Sequence, residues 1–396
     1  MRFRPPSKNA SCLRSIWAMM QSESPKQVRL HASSRIPKSP CMLHPNRTRT
    51  TGSGKTAAYL IPILNKLMGK AKKLAAPRPN PAAENYEDCR AEPLVVIVAP
   101  TRELATQIFN EARKFCYRTM LRPCVSYGGG SLGDQIQNLR KGCDILVATV
   151  GRLLDFMKRP QVLSLQRVRY MVIDEADEML QDDWTEEMNQ IFAGGSTLSL
   201  ILFIRKKAKH GDTDQDDGNV SYLLFSATFP KPLRNLAMQH LAADHVRFRV
   251  GRAGSTHSNI KQQIVQVEPH LKRDALMTAL NSIDPCRTIV FVNAKRTADE
   301  LDDYLYNLAM PCTSMHSDRT QLEREAALRS FRAGNSPILI TTEVTARGID
   351  VQNVRHVINY DLPSMEYGGI ESYIHRIGKR PLLPRKCTIA DIRISF

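Results

Sequence analysis

The chain has 396 residues, 42% of them hydrophobic, and a formal net charge of +17. That length accommodates two packed domains, and that apolar content excludes a disordered chain. No apolar run approaches the ~20 residues of a membrane helix, the longest candidate being 198–204, so no membrane-spanning helix is expected, and the net charge reads either as a polyanionic partner or as a generally basic surface. Residues 1–50 carry ten Lys/Arg against one acid, so more than half of the charge excess sits in that segment and charge does not locate a binding groove.

Taken in chain order, the first signal is Thr51-Gly52-Ser53-Gly54-Lys55-Thr56. Its glycines let successive backbone N–H groups curl around phosphate oxygens, and a helix beginning at Lys55-Thr56 adds the positive end of its dipole. The run 93–98 then predicts a buried strand, followed by a helix from Arg102 to about Phe115. A second strand over 144–148 leads into a helical stretch at 153–157. The strand Tyr170 to Ile173 ends in Asp174-Glu175-Ala176-Asp177, placing two adjacent carboxylates where a buried strand emerges. Leu223 to Phe225 closes the set, and the named motifs follow the strands, where open α/β sheets bind ligands.

A Gly/Ser-containing linker at 251–258 precedes a second alternation. It comprises a strand at 288–292, a helix from Thr297 to about Leu308, a helix over 321–331, and strands over 338–341 and 356–360. The predicted organisation is therefore a basic segment (1–50), a nucleotide-binding α/β domain (51–245), a linker (246–260) and a second α/β domain (261–396). Two such domains make a cleft in which a triphosphate can be held from both sides.

The residue types define the chemistry. Lys55 neutralises β/γ-phosphates, while the Thr56 hydroxyl and the Asp174 carboxylate are hard oxygen ligands suited to Mg²⁺. Glu175 polarises the attacking water. Nine cysteines without a C-x-x-C pair or a His/Cys cluster read as reduced thiols, with neither disulfide nor zinc expected. His316 reads as a loop hydrogen-bonding group, and Met179 and Trp184 as core.

Beyond these two segments, the chain carries Ala99-Pro100-Thr101-Arg102-Glu103-Leu104, Tyr127-Gly128-Gly129, Thr149-Val150-Gly151-Arg152, Ser226-Ala227-Thr228, Ala346-Arg347-Gly348-Ile349-Asp350 and His375-Arg376-Ile377-Gly378. In that order the set resembles the DEAD-box family of ATP-dependent RNA helicases, nearest its Vasa-like branch, over about residues 51 to 379. The resemblance implies two tandem RecA-like parallel-sheet domains, the second truncated, and an enzyme that uses ATP and Mg²⁺ to separate RNA strands locally. It assigns Pro100, Thr101, Arg102, Gly128, Gly129, Thr149, Gly151 and Arg152 to RNA-backbone contacts in the first domain, and Gln321, Arg324 and Thr342 in the second. It further gives Ser226 and Thr228 the coupling of ATP state to strand separation, Asp350 a ribose contact, and His375 and Lys379 places in the cleft. Contacts to phosphate and ribose imply recognition of shape and length, without sequence reading. A monomer in the cytoplasm, with nuclear shuttling compatible, completes the expectation.

The chain departs from that family pattern in places. No strand-like run precedes the phosphate loop, which opens with Arg49 and Thr50, and no adenine-reading segment is recognisable. The block 198–210 interrupts the likeness, and Val150 replaces a usual proline. After Gly378, Lys379 and Leu382 stand where the family carries two arginines that reach the γ-phosphate. Lysine keeps charge without the planar fork, leucine supplies none, and loss of an arginine finger costs about 10³ to 10⁵ in turnover. The alternative expectation is a hydrolysis-defective RNA clamp, or the product of altered exon boundaries.

Overall fold

The computed structural model describes residues 55–69, 89–181, 184–192, 220–226, 229, 231–241, 245, 247, 260–283, 285–342, 351, 354–363, 369–377 and 387–394. In the first unit, helix α1 (Lys55–Gly69) precedes β1 (Val95–Ala99) and α2 (Arg102–Phe115), then β2 (Pro123–Ser126) and α3 (Leu132–Arg140). Next come β3 (Ile145–Thr149), α4 (Val150–Met157), β4 (Tyr170–Ile173), α5 (Ala176–Gln181), α6 (Thr185–Phe192), β5 (Ser221–Leu224) and α7 (Lys231–His240). The strands form one parallel sheet in the order β2-β3-β1-β4-β5.

Period-two alternation distributes each strand between two cores. Val96, Val98, Leu146, Ala148, Met171 and Ile173 pack on one face against Leu153 and Phe156 of α4, Met188 of α6 and Leu233 of α7. Val95, Ile97, Ile145, Val147 and Val172 pack on the other against Tyr59, Leu60, Ile63 and Leu67 of α1 and Leu104 and Ile108 of α2. Because both faces are covered, β1 and β3 are buried throughout, which is why their sequences read as unbroken apolar runs. Met179 is core as expected, and Trp184 packs partly buried against the same cluster.

The second unit begins with β6 (Ile260–Val267), a 3₁₀ turn (Pro269–Leu271) and α8 (Lys272–Asn281). It continues through β7 (Arg287–Val292), α9 (Lys295–Asn307), β8 (Cys312–Met315), α10 (Gln321–Ala333), β9 (Ile338–Thr342), β10 (Val354–Asn359), α11 (Gly369–Ile377) and β11 (Cys387–Ile394). Its sheet is also parallel, in the order β6-β11-β10-β7-β9-β8. Substituting β7 to β11 for β1 to β5 reproduces the first sheet's order, so the two units share one winding scheme. Strand β11, which the sequence pattern did not reveal, is inserted between β6 and β10 and pairs with both.

In each unit the chain moves from the first central strand to one side of the sheet and then crosses to the other. The switch points are β1/β4 and β7/β10, and crevices for ligands open beyond the carboxyl ends of such strands.

Candidate nucleotide and nucleic-acid site

Asp174 follows the last residue of β4 at the first switch point, where its backbone N–H donates to the Val98 carbonyl of β1 at 3.0 Å. Its carboxylate is buried, 3% exposed. Oδ2 accepts from the Tyr59 hydroxyl at 3.1 Å and Oδ1 accepts from the Glu175 backbone N–H at 3.0 Å. Burial raises the Asp174 carboxyl above its ordinary range, while the nearby Lys55 charge and these two hydrogen bonds pull it back down. Burial and the facing Asp174 charge likewise push the Tyr59 phenol up.

Glu175 has φ +53, a left-handed conformation that costs a β-carbon residue roughly 1–3 kcal/mol. The bend turns the chain sharply from β4 into α5. Two backbone bonds hold it: Ala176 N–H to the Phe225 carbonyl at 3.0 Å, and Phe225 N–H to the Ile173 carbonyl at 2.8 Å. The end of β5, where Ser226 follows, is thereby tied directly to the acidic turn.

Lys55 and Thr56 begin α1, and the Thr56 hydroxyl shares a hydrogen bond with Tyr59 one turn later. A carboxylate whose charge is disfavoured by burial, facing a lysine and a hydroxyl at a helix start, suits a divalent cation carrying a triphosphate. These residues therefore fit Mg²⁺ and a nucleotide. Thr51, Gly52, Ser53, Gly54, Thr228, Asp350 and Lys379 lie outside the described residues, as do Arg49, Leu382 and the 198–210 block.

Among the described residues, polar side-chain contacts cross between the units. His375 of α11 reaches two buried acids of α5: Nε2 lies 3.5 Å from an Asp177 oxygen and Nδ1 3.3 Å from a Glu178 oxygen. Burial alone would push the imidazole down, but hydrogen bonding and the charges of the two carboxylates prevail and hold it at about 9, so it is protonated at neutral pH. Arg102 Nη1 donates to Gln321 Oε1 at 3.2 Å. Arg324 Nη2 donates to Glu103 Oε1 at 2.6 Å.

The remaining candidates fall into two groups. Gly128 and Gly129 lie against Arg102: Gly129 has φ +76, and a β-carbon there would meet Arg102 Nη1 at 2.3 Å. Glycine is favoured by the left-handed backbone, and an added β-carbon would in addition make the guanidinium shift. Pro100 is buried, and Thr101 spends its hydroxyl capping α2, accepting from the Leu104 N–H at 3.3 Å. Thr149 and Thr342 end the equivalent strands β3 and β9, both largely buried. A β-carbon at Gly151 would meet nothing within 4 Å, leaving an open approach to the start of α4, while Arg152 stacks 5.6 Å from the Phe156 ring centroid.

The sequence reading did not give roles to Tyr59, Glu103, Asp177 or Glu178. Tyr59 stands one helical turn after Lys55, which the i,i+4 relation could have shown. Glu103 lies inside a quoted motif, but its partner is 221 residues away. Arg376, beside His375, is a buried anchor: it donates to the Asp361 carbonyl at 2.6 Å and Asn293 Oδ1 at 2.8 Å.

Comparison with known proteins identifies the family. The DEAD/DEAH box helicase family matches residues 48–236, and the helicase conserved C-terminal domain matches residues 271–380. The chain belongs to the DEAD-box helicase family. Among solved structures, S. cerevisiae Dbp5 bound to RNA and ADP BeF3 is similar at 28% identity and a TM-score of 0.66, covering 88% of this chain and 78% of that one. Mss116p bound to ssRNA and AMP-PNP is 24% identical with a TM-score of 0.65, over 87% of this chain and 65% of that one, and shows the shared fold. A DEAD box protein from Methanococcus jannaschii is 31% identical over 87% of this chain and 80% of that one, with a TM-score of 0.43.

Proposed function

We propose that this chain is an RNA-stimulated ATPase that couples ATP hydrolysis to RNA binding and local duplex unwinding. The observation that carries the reading is the buried Asp174 carboxylate, which feels the Lys55 charge and accepts from Tyr59, the residue that also bonds Thr56 at the start of α1. Mg²⁺ supplies a Lewis acid that offsets charge on the transferred phosphoryl group. Thr56 and Asp174 would hold that ion, Lys55 and the Thr51 to Gly54 segment would meet the phosphates, and Glu175 would orient the attacking water. Roles for Asp350 at the ribose and Lys379 at the phosphates rest on their motifs alone.

RNA lies along Arg102, Gly128, Gly129, Thr149, Gly151 and Arg152 on one unit and Gln321, Arg324 and Thr342 on the other. Support comes from the two similar structures, whose bound RNA and nucleotide analogues are partners of the kinds proposed here. The tie from the end of β5 to the acidic turn supports a coupling role for Ser226 and Thr228. Kinship with the Vasa-like branch rests on the sequence motifs alone.

A second reading is favoured by Lys379 and Leu382, which replace arginines of the family pattern: a clamp that closes on RNA and hydrolyses little. ATP turnover measured with and without single-stranded RNA, beside a Lys55→Ala control, separates the two. RNA-stimulated turnover abolished in the control supports the enzyme. Equal background turnover in both proteins, with RNA affinity kept, selects the clamp.

A further inference from the structure

Helix α9 carries Asp299 and Asp302 one turn apart, and both bond the segment that leads into α10. Asp299 Oδ1 pairs with His316 Nε2 at 2.9 Å and accepts from Arg319 Nη2 at 2.8 Å. Arg319 Nη2 also lies 3.1 Å from Ser314 Oγ, and Ser314 donates to Asp302 Oδ2 at 2.8 Å. His316 is buried, its side chain 4% exposed, whereas Asp299 and Arg319 are partly open to solvent. The exposed ion pair alone is therefore worth little. The bond from the buried imidazole gives the arrangement its rigidity, because losing it would strand a polar group away from water.

The turn held in this way, closed by the Arg319 N–H to the His316 carbonyl at 3.2 Å, ends at Thr320. A capping box between Thr320 and Glu323 starts α10 at the next residue. Little slack separates Arg319 from Gln321 and Arg324, which lie three residues apart on one helical face and cross to Arg102 and Glu103. Movement of the turn relative to α9 must carry both of these side chains with it.

We infer that Asp299 is a positioning residue for the RNA grip of the second unit, acting through His316 and Arg319 on Gln321 and Arg324. The inference rests on the RNA-binding role proposed for those two residues. It predicts coupling between Asp299 and Arg324, although the route between them runs through an intervening turn; a residue of local structural importance would instead act additively with Arg324.

The test uses the full chain, a fluorescein-labelled single-stranded oligouridine and AMP-PNP, with affinity read by anisotropy. Asp299→Ala should weaken binding about tenfold, the scale of one charge-assisted hydrogen bond. Asp299→Asn keeps one acceptor oxygen, so about threefold is expected by the same reasoning. In an Arg324→Ala background, Asp299→Ala should add less than about twofold. Equal loss in both backgrounds, or no loss in either, overturns the inference. If the parent binds no oligouridine, the RNA reading itself fails. The same four proteins are then compared for closure of the two units by small-angle scattering, since the Arg324 to Glu103 bond requires no RNA. Asp299→Ala should open the parent but not the Arg324→Ala protein, and an unchanged radius of gyration in the parent background refutes the positioning role. Melting temperature, with the Asn variant as the mild case, separates misfolding from either result.

Discussion

Arg324 of the second unit donates to Glu103 of the first at 2.6 Å, with only 11% and 6% of the two side chains exposed. Burial pulls the guanidinium pKa downward and the Glu103 charge opposes that shift. A residue assigned to RNA from its motif therefore also clasps the opposite unit. Removing one member of a buried pair leaves the other charge uncompensated, at a cost of about 3–5 kcal/mol. That cost falls on the closed arrangement alone.

Glu103→Ala should accordingly raise the RNA concentration needed for half-maximal turnover at least about tenfold, while the KM for ATP measured at saturating RNA moves little. Steady-state kinetics with both ligands varied gives the answer. Equal change in both constants would show that Glu103 supports the first unit's fold and not the clasp.

His375 makes the second cross-contact sensitive to pH. Its value of about 9 lies above the ordinary 6.5, so protonation favours the closed form. The stabilisation is complete below about pH 6.5 and disappears as pH rises through about 9. RNA-stimulated turnover, corrected for the pH dependence of a fixed reference reaction, should fall across that window. His375→Gln should flatten the fall, and an unaltered profile in that variant would remove the imidazole as its source.

Gly129 and Gly151 should respond differently to the same substitution. At Gly129 the backbone is left-handed and the new β-carbon strikes Arg102, so Gly129→Ala should cost about 1–3 kcal/mol of stability together with RNA affinity. At Gly151 the added methyl meets open space. Gly151→Ala should leave the chemical denaturation midpoint nearly unchanged and weaken RNA alone. Denaturation and anisotropy on the two variants decide it, and loss of stability at Gly151 with RNA affinity intact would contradict the assignment.

Tyr59→Phe removes the hydroxyl that donates to Asp174 Oδ2, a bond to a charged acceptor worth about 1.5–3 kcal/mol. Without it Asp174 shifts still further towards its protonated form. The Mg²⁺ concentration for half-maximal turnover should rise about tenfold, in line with that bond energy. Glu175→Gln should differ in kind, losing turnover while binding of a fluorescent ATP analogue persists. Full turnover by the Gln variant would assign water activation elsewhere.

The strands clearest in the sequence include those buried throughout, such as Val95–Ala99 and Ile338–Thr342, because a parallel sheet covered on both faces writes itself as an apolar run. Helix α2 was legible at both ends for a related reason: Thr101 caps its start and its apolar positions repeat with helical period. Of the missed strands, Pro123–Ser126 and Cys312–Met315 are short, of mixed polarity and at a sheet edge, whereas Cys387–Ile394 lies inside its sheet and was hidden by its polar alternation. Ile260–Val267 carries three glutamines and also lies at an edge. The site's chemical groups could be read because nucleotide chemistry restricts residue type. Its bonds could not, since Glu103, Asp177 and Glu178 find partners about two hundred residues away, and only the winding of two sheets brings them together.

That shared winding also places Lys272 and Asp361 in the second unit where Lys55 and Asp174 stand in the first: the lysine opens the helix before the central strand, and the aspartate follows the strand across the switch point. In the second unit the two are bonded to each other, and the Lys272 ammonium lies over the Tyr360 ring. Glu268-Pro269-His270-Leu271 precedes that helix in place of a glycine loop. Under the proposed function, the lysine and aspartate that would serve phosphate and cation in the first unit are thus, in the second, spent on each other.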